Sequence, residues 1–316
     1  MSRVTTLPKR LQPMLATLTD SPFDDRGWVF EDKYDGFRMV AKIESGKVSL
    51  YSRNGQVISS NYIEVARALE GVRGDAVIDG ELVALDENGV SHFQLLQNAL
   101  RHKAKLLYCV FDLMFQDGED LRALPLIERK KRLKDTLPKH RLVAFSRHRK
   151  AFGTKFFEEA ARKGLEGIMA KRASSKYLSG VRTNDWLKIK TSKRQEVVIA
   201  GFTAPKKTRP FFGALVLAIR KGDGWRYIGH VGTGFSHATL EELHGRLNKL
   251  KRVKSPFAGK VKDEAVTTWV KPLLVAEVKF TEWTSSGEMR HPVYLGLRED
   301  KRATDVVRER EEPKAT

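Results

Sequence analysis

Lys33 lies in the octapeptide Glu31-Asp32-Lys33-Tyr34-Asp35-Gly36-Phe37-Arg38, between two apolar runs. A lysine held in a turn close to a polyanion can attack phosphorus once neighbouring cations or a metal lower its pKa and free its lone pair, which is nucleotidyl transfer onto an amine. Besides a nucleophile, that reaction needs groups that fix base and ribose, cations around the phosphates, and carboxylates for a divalent metal. Short polar islands elsewhere in the chain offer each of these. Arg38 and Arg53 carry planar forks suited to ribose or phosphate oxygens. Glu81 and Glu166 stand beside Gly80 and Gly167, where backbone can approach a ligand closely. Phe111 precedes Asp112 at a strand end and offers a stacking face to a purine. Lys188 and Lys190 alternate with Leu187 and Ile189, so a strand sends both ammonium groups to one face and anchors the other with aliphatic side chains.

Each island also has an ordinary explanation. Lys, Asp and Gly are common turn residues, and Arg53 suits a turn flank. A lone Glu81 or Glu166 reads as a surface carboxylate, and a lone Phe111 as core. Lys188 and Lys190 alone would serve to guard a sheet edge. Only their joint occurrence, in this order along one chain, favours the chemical reading.

Alternating strands and helices must carry these residues. Trp28 to Phe30 leads into the Lys33 turn, and Phe37 to Ile43 leads out in an extended pattern. Val48 to Ser52 reads as a strand closed by the turn signal Asn54-Gly55. Asn61 is placed to cap a helix through Leu69. Two apolar runs, 76–78 and 82–85, flank Asp79-Gly80-Glu81. A short helix is expected from His92 to Leu100, and Leu106 to Phe115 reads as a strand buried on both faces. Helices are expected over 125–135 and 154–163, and short strands over 167–171 and 186–189. Beyond Ser192 the texture changes to small antiparallel strands at 197–202, 214–219, 225–231, 276–283 and 293–297, interrupted by one helix over 237–250. Five short strands with one inserted helix suit a small Greek-key barrel of the oligonucleotide-binding type.

The chain has 316 residues and a formal charge of +19. Residues 1–190 hold 34 basic against 24 acidic side chains, a net of +10, and the remainder holds 24 against 15, a net of +9. Both halves are basic, which fits a polyanion gripped from two sides, and nucleic acid is the natural candidate. The single cysteine, Cys109, lies in an apolar run, so neither an internal disulfide nor a Cys-pair zinc site can form. The histidines lack the i, i+4 spacing of a helical metal site. The N-terminus has no apolar signal core and no run reaches membrane-spanning length, so a cytoplasmic, nucleoid-associated protein without membrane contact is expected.

Seven segments, read in order, resemble those of the covalent nucleotidyltransferase superfamily of ATP-dependent DNA ligases, RNA ligases and mRNA capping enzymes. They are Lys33-Tyr34-Asp35-Gly36-Phe37-Arg38, Ser52-Arg53-Asn54-Gly55, Asp79-Gly80-Glu81-Leu82, Phe111-Asp112-Leu113, Glu166 to Lys171, Trp186 to Lys190, and Arg298-Glu299-Asp300-Lys301. Within that superfamily the chain is most similar to the ligase domain of bacterial ligase D-type enzymes of non-homologous end joining. Pro13-Met14-Leu15-Ala16, Glu166 to Arg172, and Gly229 to Phe235 carry that closer likeness.

The resemblance implies an α+β fold. A nucleotidyltransferase (adenylation) domain with a mixed or antiparallel sheet would span 1–191, followed over 192–316 by a small all-β OB-fold barrel domain ending in a disordered tail. With 32 residues before Lys33, a minimal, free-standing ligase core is expected, without extra N-terminal, polymerase or phosphoesterase modules. By the same resemblance Lys33 would attack the α-phosphorus of ATP to form lysyl-AMP, and Glu31 would contact the adenine amino group. Phe111 would stack on the base, while Glu81 and Arg38 hold ribose and nearby phosphate, with Arg53 also on the nucleotide. Glu166, with Glu81, would bind Mg2+, with Mn2+ as an alternative. Lys188 and Lys190 would neutralise the α-phosphate, and Arg298, Asp300 and Lys301 would orient the leaving pyrophosphate. The partners implied are nicked or broken duplex DNA and the end-binding protein Ku, with the enzyme a monomer. RNA end joining and a catalytically silent DNA-end-binding scaffold are the rival readings, and GTP-dependent capping is disfavoured by Glu31 and by Arg298-Glu299-Asp300-Lys301.

Overall fold

The computed structural model describes residues 12–99, 105–205 and 209–309. The chain divides into two compact units at Thr191/Ser192. The first contains, in order, β1 (Leu15–Leu18), β2 (Asp24–Asp32), β3 (Phe37–Glu44), β4 (Lys47–Ser52), α1 (Ile63–Leu69), β5 (Ala76–Leu85), α2 (Phe93–Asn98), β6 (Lys105–Gln116), β7 (Glu119–Asp120), α3 (Leu126–Thr136), β8 (Val143–Phe145), β9 (Arg149–Phe152), α4 (Gly153–Arg162), β10 (Gly167–Arg172) and β11 (Arg182–Lys190).

These strands form two sheets, ordered β1-β11-β10-β2-β9 and β4-β3-β5-β6-β7, with β8 also pairing with β6. Pairing is antiparallel except for β1 with β11 and β8 with β6. The Lys33 turn therefore carries the chain from one sheet into the other. Strand alternation assigns the side chains of the first sheet. Trp28, Phe30, Ile168, Ala170, Leu187 and Ile189 share an apolar cluster, against which Phe156 and Phe157 of α4 pack. Val29 and Trp186, from the opposite face, join Val40, Val77 and Phe111 of the second sheet in a separate core. That core lies between the sheets. Helix α1, with Leu96 of α2 and Leu133 of α3, covers the far side of the second sheet.

Several expectations about local structure change. Asp79-Gly80-Glu81 does not interrupt a strand: β5 runs unbroken for ten residues, its register on β6 slipping at Val77/Ile78 and Asp79/Gly80. A partnered polar side chain leaves the backbone ladder intact, and Asp79 is partnered. Asn61 does not cap α1. It sits in a 3-10 turn, Ser59–Tyr62, that feeds into the helix, and Tyr62 takes the cap position without a side-chain hydrogen bond. The helix expected to reach Leu100 runs from Phe93 to Asn98, and Leu100 itself lies outside the described residues. The Asn54-Gly55 turn forms as expected, with Gly55 at φ +78° and its N–H donating to the Ser52 carbonyl.

The second unit contains β12 (Lys193–Thr203), β13 (Leu215–Lys221), β14 (Gly224–Val231), α5 (His237–Asn248), β15 (Thr267–Trp269), β16 (Val275–Phe280), β17 (Glu282–Trp283), β18 (Met289–Arg290) and β19 (Val293–Leu297). Its main sheet is ordered β14-β13-β12-β16-β19, with β15 also on β12. The run expected as one strand over 276–283 is two: β16 stays in the main sheet, while β17 pairs with β18. Leu240, Leu243 and Leu247 of α5 bury one stripe in this unit's core. Ser236 caps that helix by accepting from the Thr239 N–H. The tail expected to fray lies outside the described residues from Arg310 on.

Candidate active site

The register of β2, β10 and β11 builds the site. Lys33 continues the β2 ladder by one step, its N–H donating to the Gly167 carbonyl at 3.0 Å. Gly167 in turn faces Lys190 on β11, and Met169 lies between Glu31 and Lys188. Lys171 pairs with Trp186 on one side and Val29 on the other. Glu31, Lys171, Trp186, Lys188 and Lys190 thus share the sheet face opposite Leu187 and Ile189. Gly167 is needed in the first of these rows, because a Cβ there would collide with the Ile189 carbonyl and lie 2.9 Å from Lys190 Cα.

Lys33 Nζ stands 2.5 Å from Glu166 Oε2, with the two side chains 17% and 4% exposed. The nucleophile candidate is therefore reachable while its carboxylate is nearly dry. Glu81 approaches from the second sheet. It pairs in register with Arg38, and a Cβ placed on Gly36 would come within 3.1 Å of Glu81 Cγ. Among the described residues no group of three or more His, Cys, Asp or Glu is arranged to hold a metal. Mg2+ commonly takes one or two carboxylates and completes its shell with water and substrate phosphates. Glu166 and Glu81 fit that donor set.

Arg38 is held from several sides. Its Nε and Nη2 both donate to Asp79 at 2.6 Å, and Nη2 also reaches the Met14 carbonyl at 3.2 Å. Tyr177 donates its hydroxyl to Asp79 at 2.6 Å and accepts from the Met14 N–H at 3.0 Å. The circuit Met14–Tyr177–Asp79–Arg38 closes on itself. Despite burial, the Asp79 carboxylate keeps the Arg38 guanidinium charged well beyond the usual range. Arg53 follows the last β3–β4 pair, Met39–Ser52, which sets it level with Arg38. Phe111 is 7% exposed, with Lys171 Nζ 4.0 Å and Arg38 Cζ 4.7 Å from its ring centroid and the Trp186 ring edge-on at 6.1 Å. The ring is a floor for cations, and a base stacked there would share it with them.

Glu31 differs most from its expected role. Its carboxylate accepts from Lys130 at 2.8 Å, Lys171 at 3.0 Å and the Ser146 hydroxyl at 3.2 Å. It is 1% exposed and fully engaged inside the protein. A carboxylate caged in this way is a brace for the strand end and not an open reader of an amino group. Burial alone would raise its pKa, but the two lysines outweigh burial and lower it. Burial has the opposite effect on Lys171, pulling its ammonium down to about 8. Lys130, Ser146, Asp79 and Tyr177 were missed as site residues. Lys130 and Ser146 reach Glu31 across 99 and 115 residues, and nothing local marks them.

Arg298, Asp300 and Lys301 belong to the second unit. Arg298 forks onto Asp300 with two bonds of 2.9 Å and donates Nη1 to Glu277 at 2.8 Å. Lys301 Nζ pairs with Glu196 at 2.7 Å. Although burial opposes it, Asp300 and Glu277 hold the Arg298 guanidinium charged, and Arg298 in turn lowers Asp300.

A family model described as the ATP dependent DNA ligase domain matches residues 13–190, and one for the ATP dependent DNA ligase C terminal region matches 208–301. The chain is 39% identical to the multifunctional non-homologous end joining protein LigD of Pseudomonas aeruginosa, over 97% of this chain and 37% of that protein. It is 36% identical to the multifunctional non-homologous end joining DNA repair protein LigD of Mycobacterium tuberculosis, over 95% of this chain and 40% of that protein. The chain thus spans about two fifths of the length of these curated relatives. A solved structure of a mycobacterial DNA ligase D complexed with ATP and MES superposes with a TM-score of 0.72 at 34% identity, covering 95% of this chain and 98% of that one.

Proposed function

This chain belongs to the ATP-dependent DNA ligase family, and we propose that it seals 3′-hydroxyl/5′-phosphate nicks or breaks in duplex DNA, in repair by end joining, through AMP carried on Lys33. The observation that carries this reading is the Lys33–Glu166 pair at 2.5 Å, in a row with Gly167 and Lys190. In the first step Lys33 Nζ bonds to the α-phosphorus of ATP as the bond to the β-phosphate oxygen breaks, and pyrophosphate leaves. Nζ must give up a proton to solvent for this, which cations gathered around the phosphates favour, and Glu166 Oε2, 2.5 Å away, orients the amine. Lys188 and Lys190, on the same face, offset the charge that builds on the α-phosphate. Phe111 backs the base, and Arg38, with Arg53 level beside it, faces the ribose and phosphates. Mg2+, or Mn2+ in its place, would be held by Glu166 and Glu81 and would supply charge neutralisation at the phosphates. AMP then passes to the 5′-phosphate of DNA, and the 3′-hydroxyl displaces it.

Arg298, Asp300 and Lys301 are proposed to orient the pyrophosphate, and Ku to recruit the enzyme to ends. The test is labelling with α-labelled ATP. The parent protein is expected to retain label through denaturation and Lys33→Ala to retain none; a labelled Lys33→Ala adduct would refute the assignment. Comparing the sealing of a nick in DNA with the same nick in RNA discriminates the RNA-joining alternative, and absence of any adduct in the parent would favour a silent scaffold.

A further inference from the structure

The connector from the end of α5 to the strand β16 carries a run of cations that the proposed chemistry does not use. Lys249, Lys251, Arg252, Lys254, Lys260, Lys262 and Lys271 lie within 23 residues, against two acids, Asp263 and Glu264. All seven are exposed. Among the described residues none of them forms an ion pair, whereas Arg122, Arg132, Arg149, Arg172, Arg246, Arg290 and Arg302 each meet a carboxylate. A cluster of like charges left uncompensated is a cost in self-repulsion unless an anion answers it.

The connector is also fixed in place. Lys251 bridges to Val270, the Arg252 N–H donates to the Trp269 carbonyl at 3.0 Å, and the Lys271 N–H donates to Leu250 at 2.8 Å. Phe257 pins its middle, edge-on to Tyr227 and Trp269 at 5.9 and 5.8 Å. At the turn between Arg252 and Lys254 stands Val253, 97% exposed.

We propose that this connector is a phosphate clamp for duplex DNA, with Lys251, Arg252 and Lys254 as its principal contacts and Lys260 and Lys262 as a second arm. The proposal rests on the ligase reading for its choice of polyanion. It does not involve the Lys33 site, so the two can fail separately.

The experiment measures equilibrium binding of a nicked duplex to the full chain across 50–300 mM salt, together with self-adenylylation. Each phosphate contact contributes about 0.9 to the slope of log K against log salt, so K251Q/R252Q/K254Q should lower that slope by roughly 2 to 3. K260Q/K262Q should lower it by about 1 to 2. The rate of adduct formation from ATP should stay within twofold of the parent in both. A slope unchanged in both variants overturns the clamp; thermal melts that match the parent's establish that both variants are folded, so that a lowered slope reads as lost phosphate contacts. If polyglutamate competes as well as duplex DNA, the surface answers acidic chains in general, and the assignment to duplex DNA falls. A parent protein that forms no adduct yet shows the expected slopes would sink the ligase reading and leave the clamp standing.

Discussion

At the scale of single residues, the site depends on buried charges that partner one another. Glu31 is the sharpest case. Lys130 and Lys171 hold its carboxyl below the usual carboxylate value of 4.5 against the pull of burial. The folded state therefore binds the ionised form more firmly than the unfolded chain does. That stabilisation is present above about pH 4.5 and is lost as pH falls through the lowered value. Lys130→Met removes one of the two lysines and leaves the carboxylate buried, which is expected to cost roughly 3 to 5 kcal/mol in urea denaturation. Its acid-unfolding midpoint should also move to higher pH, because a singly paired Glu31 protonates sooner. Lys130→Arg should recover part of both. Asp79→Asn tests the Arg38 circuit: a smaller ATP affinity is expected, read as a raised KM for self-adenylylation, because the fork that aligns the guanidinium loses its charge. Lys33 and its acid neighbours were visible in sequence as types and spacings. Lys130, Ser146 and Tyr177 were not, since each meets its partner only through long-range contact.

At the scale of elements, glycine decides how closely strands can carry the reacting groups. A Cβ on Gly167 would strike the Ile189 carbonyl, which is backbone and cannot swing away. Gly167→Ala is therefore expected to slow adduct formation at least tenfold by spreading the Lys33–Gly167–Lys190 row. Gly245 offers the contrasting case. It lies inside α5 with nothing within 4 Å of an added Cβ, so Gly245→Ala should stabilise the second unit by about 0.5 to 1 kcal/mol. Arg298→Met should destabilise the same unit by roughly 3 to 5 kcal/mol, since Asp300 and Glu277 would remain buried without their cation. That loss would accompany any effect on pyrophosphate release, and Arg298→Lys separates the two by keeping a charge while losing the fork. The strands that periodicity reveals are the buried ones, such as β6 and β11. The short strands β1, β8 and β15 carry too few residues to show a period, and pairing with longer neighbours defines them.

At the scale of the whole molecule, the net charge of +19 is spread over both units, and binding to duplex DNA is expected to weaken steeply with salt. The order of the seven segments, the alternation of Lys188 and Lys190 with Leu187 and Ile189, and the surplus of cations were all legible in the chain. Each is a property of residue type and spacing, which a strand or turn converts directly into a face or a bend. What sequence order could not convey is which partner a buried charge takes. Lys33 is legible in sequence as a candidate nucleophile, but the carboxylate it meets, Glu166, arrives from 133 residues away. Glu31, two residues before it, is turned inward to Lys130 and Lys171. Burial forces every charge to find an opposite, and that choice is made among whatever the packed sheets bring within 3 Å, a matter of register between strands and helices distant along the chain.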